Sequence, residues 1–163
     1  MGSREKICLK PSNIVLQLEA GDILYVDFDT LVLRVSDIST AKQGYIIAKV
    51  VVSGILGRNK GVVIDSASGR KYNLPPLSEK DYQSIEISLK EGIGYIAASF
   101  MRSGAFVDEV RRATRNSMKI ISKIECTDSL ENLDEIIQKS DYLLIDRGDL
   151  SKEIPLERIP FTQ

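Results

Sequence analysis

The sequence predicts an α/β chain in two parts: a small antiparallel β domain, barrel or sandwich, over residues 1–75, then a β/α domain with three parallel strands over residues 76–163. Three observations predict it. Short β-rich runs separated by turn residues fill residues 21–74. The stretch "NLPPLSEKD" then breaks that pattern with paired prolines, which places the domain boundary at about residues 75–77. Beyond it, single helices alternate with near-continuous apolar runs, the pattern of a parallel sheet covered by helices.

Taken in order, the first twenty residues leave a strand around 14–18 open. "DILYVDFDTLVLRV" reads as two β runs about a turn at Asp27 to Asp29, and "GYIIAKVVVSG" as a third, ended by Gly54 and Gly57. "GVVIDSASGRKYNL" reads as a hairpin around Ser68-Gly69 or as a plain loop. Ser78 and Asp81 form a capping box that opens a helix over 79–90, stopped by Gly92. "GYIAASF" follows as a strand, then a helix over 103–115 with Phe106, Val107, Val110 and Ala113 at helical spacing, then the strand "MKIISKIE". Asp128 and Glu131 suggest a second capping box, opening a helix with Leu130, Leu133, Ile136 and Ile137 on one face. "SDYLLID" is the last strand and "RGDLS" a loop. About 25 residues per repeat suit a β/α barrel or a doubly wound sheet. No Gly-rich phosphate loop stands at a strand-helix junction, which weakens the second.

Composition narrows the chemistry. The formal net charge of −1 over 163 residues gives no electrostatic reason to expect nucleic acid or an anionic membrane as partner. No apolar run reaches the length of a membrane span, and "MGSREKICLK" lacks the apolar centre of a secretion signal, so a cytoplasmic location is expected. The two cysteines, Cys8 and Cys126, lie far apart without metal-ligand spacing and read as reduced thiols. There is no histidine, which excludes Ser-His and Cys-His nucleophiles and histidine metal sites. Carboxylates, lysine, arginine and backbone are left to do any chemistry.

In either parallel architecture the site lies beyond the C-terminal strand ends. Here those ends are Ser99-Phe100-Met101-Arg102, Lys123-Ile124-Glu125 and Asp146-Arg147-Gly148-Asp149. Side chains alternate along a strand, so Lys123 and Glu125 point to one side. Glu125 and Asp149 offer two hard oxygen ligands, a partial set for Mg2+ or Mn2+, which takes the rest from water and a substrate phosphate or carboxylate. Lys123 would supply positive charge to an oxyanion or phosphoryl group beside the metal, and Gly148 would let backbone N–H approach a ligand. The structural alternatives are an ion pair of Lys123 with Glu125 at a rim, Asp149 as a helix cap, Ser99 as a small packed residue and Cys126 as an ordinary buried thiol. Arg102 and Arg147 suit structural pairs as well as ligands, and Arg111, Arg112 and Arg115 read as a solvated helix face.

Six segments, "LPPLSEKD", "IAASFMRS", "IISKIE", "NLDEI", "RGDL" and "EIPLERIP", in this order and spacing, resemble the pyruvate kinase family from about residue 21 to the C-terminus. The resemblance implies a lid-like first domain and a partial (β/α) TIM-barrel segment of strands four to six. It implies phosphoryl transfer between phosphoenolpyruvate and ADP, giving pyruvate and ATP, with Mg2+ (or Mn2+) and K+. Lys123 inherits stabilisation of the transferring phosphoryl group and the enolate, Glu125 and Asp149 the divalent metal, and Gly148 with Asp149 the substrate. The segments do not reach the strands that bring the K+ ligands in that family, so the chain alone is expected to be incomplete or inactive. A three-strand arc has two unpaired edges, so a homo-oligomer or a partner chain is expected to cover them; a noncatalytic assembly module is the alternative. The chain also departs from the family at Asp146 and Ser151 in "LIDRGDLS", where "VARGDLG" is usual, at Asp27-Phe28-Asp29, where the lid usually has "DDG", and at Cys126, where asparagine is usual.

Overall fold

A computed structural model describes residues 5–66 and 68–163. The chain divides between Leu74 and Pro75 into two compact units.

The first unit is a four-stranded antiparallel sheet in the order β3-β2-β1-β4, with β1 Ile23–Val26, β2 Leu31–Asp37, β3 Ile47–Val52 and β4 Val62–Asp65. β1 and β2 are joined by a turn in which Asp27 and Phe28 have φ of 54° and 63°, so that Leu24 pairs with Leu33 and Val26 with Leu31. Leu18, Leu24, Val26, Leu31, Leu33 and Val35 form its core. Gly54 is required just past β3, because a Cβ there would stand 1.9 Å from the Thr30 carbonyl oxygen.

Three expectations for this unit are corrected. Around residues 14–18 the chain forms a 3-10 helix, Ser12–Gln17, rather than a strand, which puts Ile14 and Leu18 into the interior. No described residue between β4 and the end of this unit at Leu74 is in a strand, so of the two readings of "GVVIDSASGRKYNL" the plain loop holds and the hairpin does not; Ala67 lies outside the described residues. Instead Arg70 turns back onto buried Asp22, donating to Glu19 at 2.8 Å and to the Gln17 carbonyl at 3.2 Å, while the Gln17 amide grips both backbone groups of Asn73. With no further strand to close the ladder between β3 and β4, the sheet is open by its pairing rather than a barrel.

The second unit has a parallel sheet in the order β5-β6-β7: Tyr95–Ala98, Lys119–Ile124 and Tyr142–Ile145. α1, Glu79–Lys90, begins at the Ser78–Asp81 capping box, and Gly92, at φ 68°, follows its end. α2, Gly104–Ala113, is capped by Ser103 and packs beside α4, Leu133–Lys139. Val107 and Val110 of α2, Ile136 of α4 and Ile120 and Ile124 of β6 bury together with Met101. Each such side chain contributes about 1.5–3 kcal/mol of burial. The other sheet face carries Tyr95, Tyr142 and Leu144, all exposed, with the two tyrosine rings 6.2 Å apart.

Four readings of this unit change. The helix after β6 starts at Thr127 with Cys126 as N-cap, and the Thr127 amide donates to the distant Glu153 carboxylate at 2.8 Å, so no Asp128 box forms. It also breaks at Asn132 into α3, Thr127–Glu131, and α4, because the Asn132 side chain bonds the Asp128 and Arg102 carbonyls; Ile137 then faces out while Ile136 is buried. "RGDL" is a short helix, α5, Arg147–Leu150, not a loop. Arg111 is no solvated residue: it bonds Asp141 and the Lys139 carbonyl, tying α2 to the start of β7, while Arg115 and Arg112 pair with Glu86 and Glu109.

Candidate functional site

The C-terminal ends of β5, β6 and β7 bring the predicted site residues together. Lys123 of β6 and Glu125, just past its end, form an ion pair, and Lys123 also reaches Asp146 at 3.2 Å. Asp146 precedes α5 and caps it, its Oδ1 accepting the Asp149 amide at 3.4 Å, so the cap is Asp146 rather than Asp149. Asp149, inside α5, pairs with Lys152 one turn on. One ligand atom each from Glu125, Asp146 and Asp149 lies within 4.8 Å of the other two.

Glu125 is only 1% exposed. Its Oε2 accepts the Phe100 amide at 2.6 Å, an arrangement for which Phe100 adopts φ 50° while the next amide, Met101, donates to the Lys123 carbonyl at 3.2 Å. A left-handed aromatic residue costs about 1–3 kcal/mol, and strain of this kind gathers at functional positions. Oε1 is ion-paired with the Lys123 ammonium. The Glu125 and Asp146 carboxylates hold the Lys123 ammonium above its usual value against the opposing effect of burial. Lys123, with the Asp149 amide, holds Asp146 below the usual carboxylate range. The lysine is thus a permanent cation and Asp146 a permanent anion near neutral pH.

Gly148 is exposed, and a Cβ there would meet nothing closer than Asp146 Oδ1 at 3.5 Å. Among the described residues, nothing demands glycine at that position. Arg102 makes a long ion pair with Asp128, 3.9 Å, and lies over the Phe100 ring; Arg147 and Ser99 are exposed, so Ser99 is not a packed residue. Cys126 is buried beside Ser129, and burial pushes its thiol up. Sequence reasoning set Asp146 at the strand end without giving it a role, and left out Lys152 and the Phe100 amide. Asp-x-x-Asp at a strand end and Asp149/Lys152 at helical spacing were the available signals for the first two.

Three carboxylates and a lysine on the C-terminal edge of a parallel sheet define an α/β protein with a strand-end site suited to a hard cation and an oxyanion. A family model described as "Pyruvate kinase, barrel domain" matches residues 1–163. The chain is 35% identical over 167 residues to a pyruvate kinase of Bacillus licheniformis, covering 100% of this chain and 28% of that protein. It is 34% identical to one of Sporosarcina psychrophila and 33% to one of Staphylococcus aureus, in both cases over 99% of this chain and 28% of the relative. The chain belongs to the pyruvate kinase family. The match takes in the first twenty residues, which the six segments leave out. Among the described residues, no helix is long and apolar enough to cross a membrane.

Proposed function

We propose that this chain carries the metal and phosphoenolpyruvate corner of a pyruvate-kinase-like phosphotransferase acting between phosphoenolpyruvate and ADP in the cytoplasm. In this reading residues 76–163 are three strands of a (β/α) barrel and residues 1–75 a lid-like domain. The observation that carries it is the convergence of Lys123, Glu125 and Asp149 at one strand-end rim. The hard oxygen set of Glu125, Asp146 and Asp149 fits Mg2+ or Mn2+. Glu125 and Asp149 would hold the ion, which when bound neutralises phosphate charge. Lys123, kept cationic by its two carboxylate neighbours, offsets negative charge developing on the enolate and the phosphoryl group. Gly148 leaves room for a substrate oxygen next to backbone N–H, and Asp149 orients that edge. K+ enters through family membership alone.

The 163-residue chain spans 28% of the relatives it matches, and three strands make only part of a barrel that takes about 250 residues. We expect it to bind Mn2+ without sustaining ADP-dependent pyruvate formation. Mn2+ titration of the wild type and of Glu125→Gln tests the site: binding that survives the substitution unchanged refutes it. A second reading, a noncatalytic module assembled with another chain or a second copy, is favoured by the exposed Tyr95, Tyr142 and Leu144 face. It predicts a stable oligomer by sedimentation that ignores phosphoenolpyruvate.

A further inference from the structure

Lys123 is the group through which the proposed corner meets a phosphoryl or enolate oxygen, and its ammonium stands against two carboxylates rather than one. Glu125 is the inner partner, its side chain 0% exposed, and Asp146, at 3.2 Å, is the outer one, its side chain 34% exposed. A single buried counter-ion is enough to keep a lysine charged and in place. The second therefore calls for an account of its own.

Asp146 is held where it stands. It caps α5 with Oδ1, which accepts the Asp149 amide at 3.4 Å, and this leaves Oδ2 turned toward Lys123. An ammonium offers three hydrogens at one nitrogen, so a ligand oxygen reaches Lys123 only as a third anion around the same atom. Since the Glu125 side is closed to solvent, the ligand arrives on the side that Asp146 already occupies. Asp149 gives no relief, because its own cation is Lys152. Repulsion between like charges a few ångströms apart grows with the number of charges the ligand carries. The position is also one at which the sequence departs from the usual "VARGDLG", so it belongs to this chain in particular.

We propose that Asp146 is a specificity-determining residue: its carboxylate competes with a ligand's anionic groups for Lys123 and so sets the rim against ligands that carry several negative charges. The inference rests on reading the rim as a phosphoenolpyruvate corner, and the test keeps the two apart. Phosphoenolpyruvate and, separately, pyruvate are titrated by calorimetry into the full 163-residue chain saturated with Mn2+, with saturation followed by loss of the free-ion paramagnetic resonance signal. At about threefold or less per ligand charge near a protein surface, Asp146→Asn should bind phosphoenolpyruvate roughly tenfold more tightly than the wild type, and pyruvate, with its single charge, no more than about threefold more tightly. A merely structural role would move both ligands together. Asparagine retains the helix cap, and Asp146→Ser, which caps equally well, replaces it if melting curves show Asp146→Asn unfolded. Phosphoenolpyruvate bound by the variant as tightly as by the wild type or less tightly, or an equal gain for the two ligands, overturns the inference and leaves the corner standing. If neither chain binds phosphoenolpyruvate, the corner itself falls and the inference falls with it.

Discussion

Replacing Lys123 with alanine removes the cation that faces Glu125 and Asp146. Glu125 is 1% exposed, and without Lys123 its Oε1 has neither ion pair nor hydrogen bond. Removing one partner of a fully buried pair costs about 3–5 kcal/mol. Here the Lys123 side chain is 21% exposed and the Phe100 amide still serves Oε2 at 2.6 Å, so a lower figure, about 2–3 kcal/mol, applies. Asp146 also loses a partner, but it reaches solvent and adds little. With a urea dependence of about 1–3 kcal/mol per molar, the unfolding midpoint should fall by about 0.7–3 M. Circular dichroism in urea measures it, and native-state hydrogen exchange at the β6 amides assigns the loss to the second unit. In Lys123→Ala combined with Glu125→Gln, more than half of the loss should return, because no buried charge is left stranded. A single variant as stable as the wild type, or a double variant whose cost is the sum of its parts, would refute the reasoning.

Gly148→Ala should fold with unchanged or slightly raised stability, since a Cβ meets only Asp146 Oδ1 at 3.5 Å and alanine is the better helix residue by about 0.5–1 kcal/mol, yet lose phosphoenolpyruvate affinity by calorimetry. Unchanged affinity counts against a substrate role for that backbone. Asp141 is held at about pKa 2, below its ordinary 3.8, by the Ile120 amide, Lys119 and Arg111. A depressed carboxylate contributes stability that is complete above its unfolded value and is lost as pH falls through the folded one. The stability gap between wild type and Asp141→Asn, followed by acid unfolding, should thus be constant above about pH 5 and close toward about pH 2. In the first unit, Arg70→Ala takes the guanidinium from the buried Asp22 carboxylate, which keeps the Glu19 amide at 2.8 Å, and should cost about 2–3 kcal/mol by urea unfolding, with Arg70→Lys a poor rescue because the guanidinium serves Asp22, Glu19 and Gln17 at once. A lysine variant as stable as the wild type would show that charge alone suffices there.

The features legible in the sequence are those decided by neighbours along the chain. The Ser78–Asp81 box and the alternation of apolar runs with helices produced α1 and the parallel order of β5, β6 and β7 as read. The placing of Lys123 of β6 and of Glu125, just past its end, on one side follows from the two-residue period of a strand. Where the reading failed, a distant partner overrode the local signal. The Thr127 amide took its acceptor from Glu153 rather than from an Asp128 box, and Asn132 broke its helix to reach the Arg102 carbonyl.

Composition and spacing by themselves determined that this chain has no histidine chemistry, that it changes period near residue 75, and that its acidic and basic residues stand at strand ends. Only the tertiary structure decided that Phe100 gives its amide to Glu125, that Asp146 joins Glu125 and Asp149, and that Arg70 closes over Asp22. Hydrogen bonds and ion pairs between residues 20 to 50 positions apart depend on how sheets and helices pack, and that packing sums many weak contacts that no short stretch encodes.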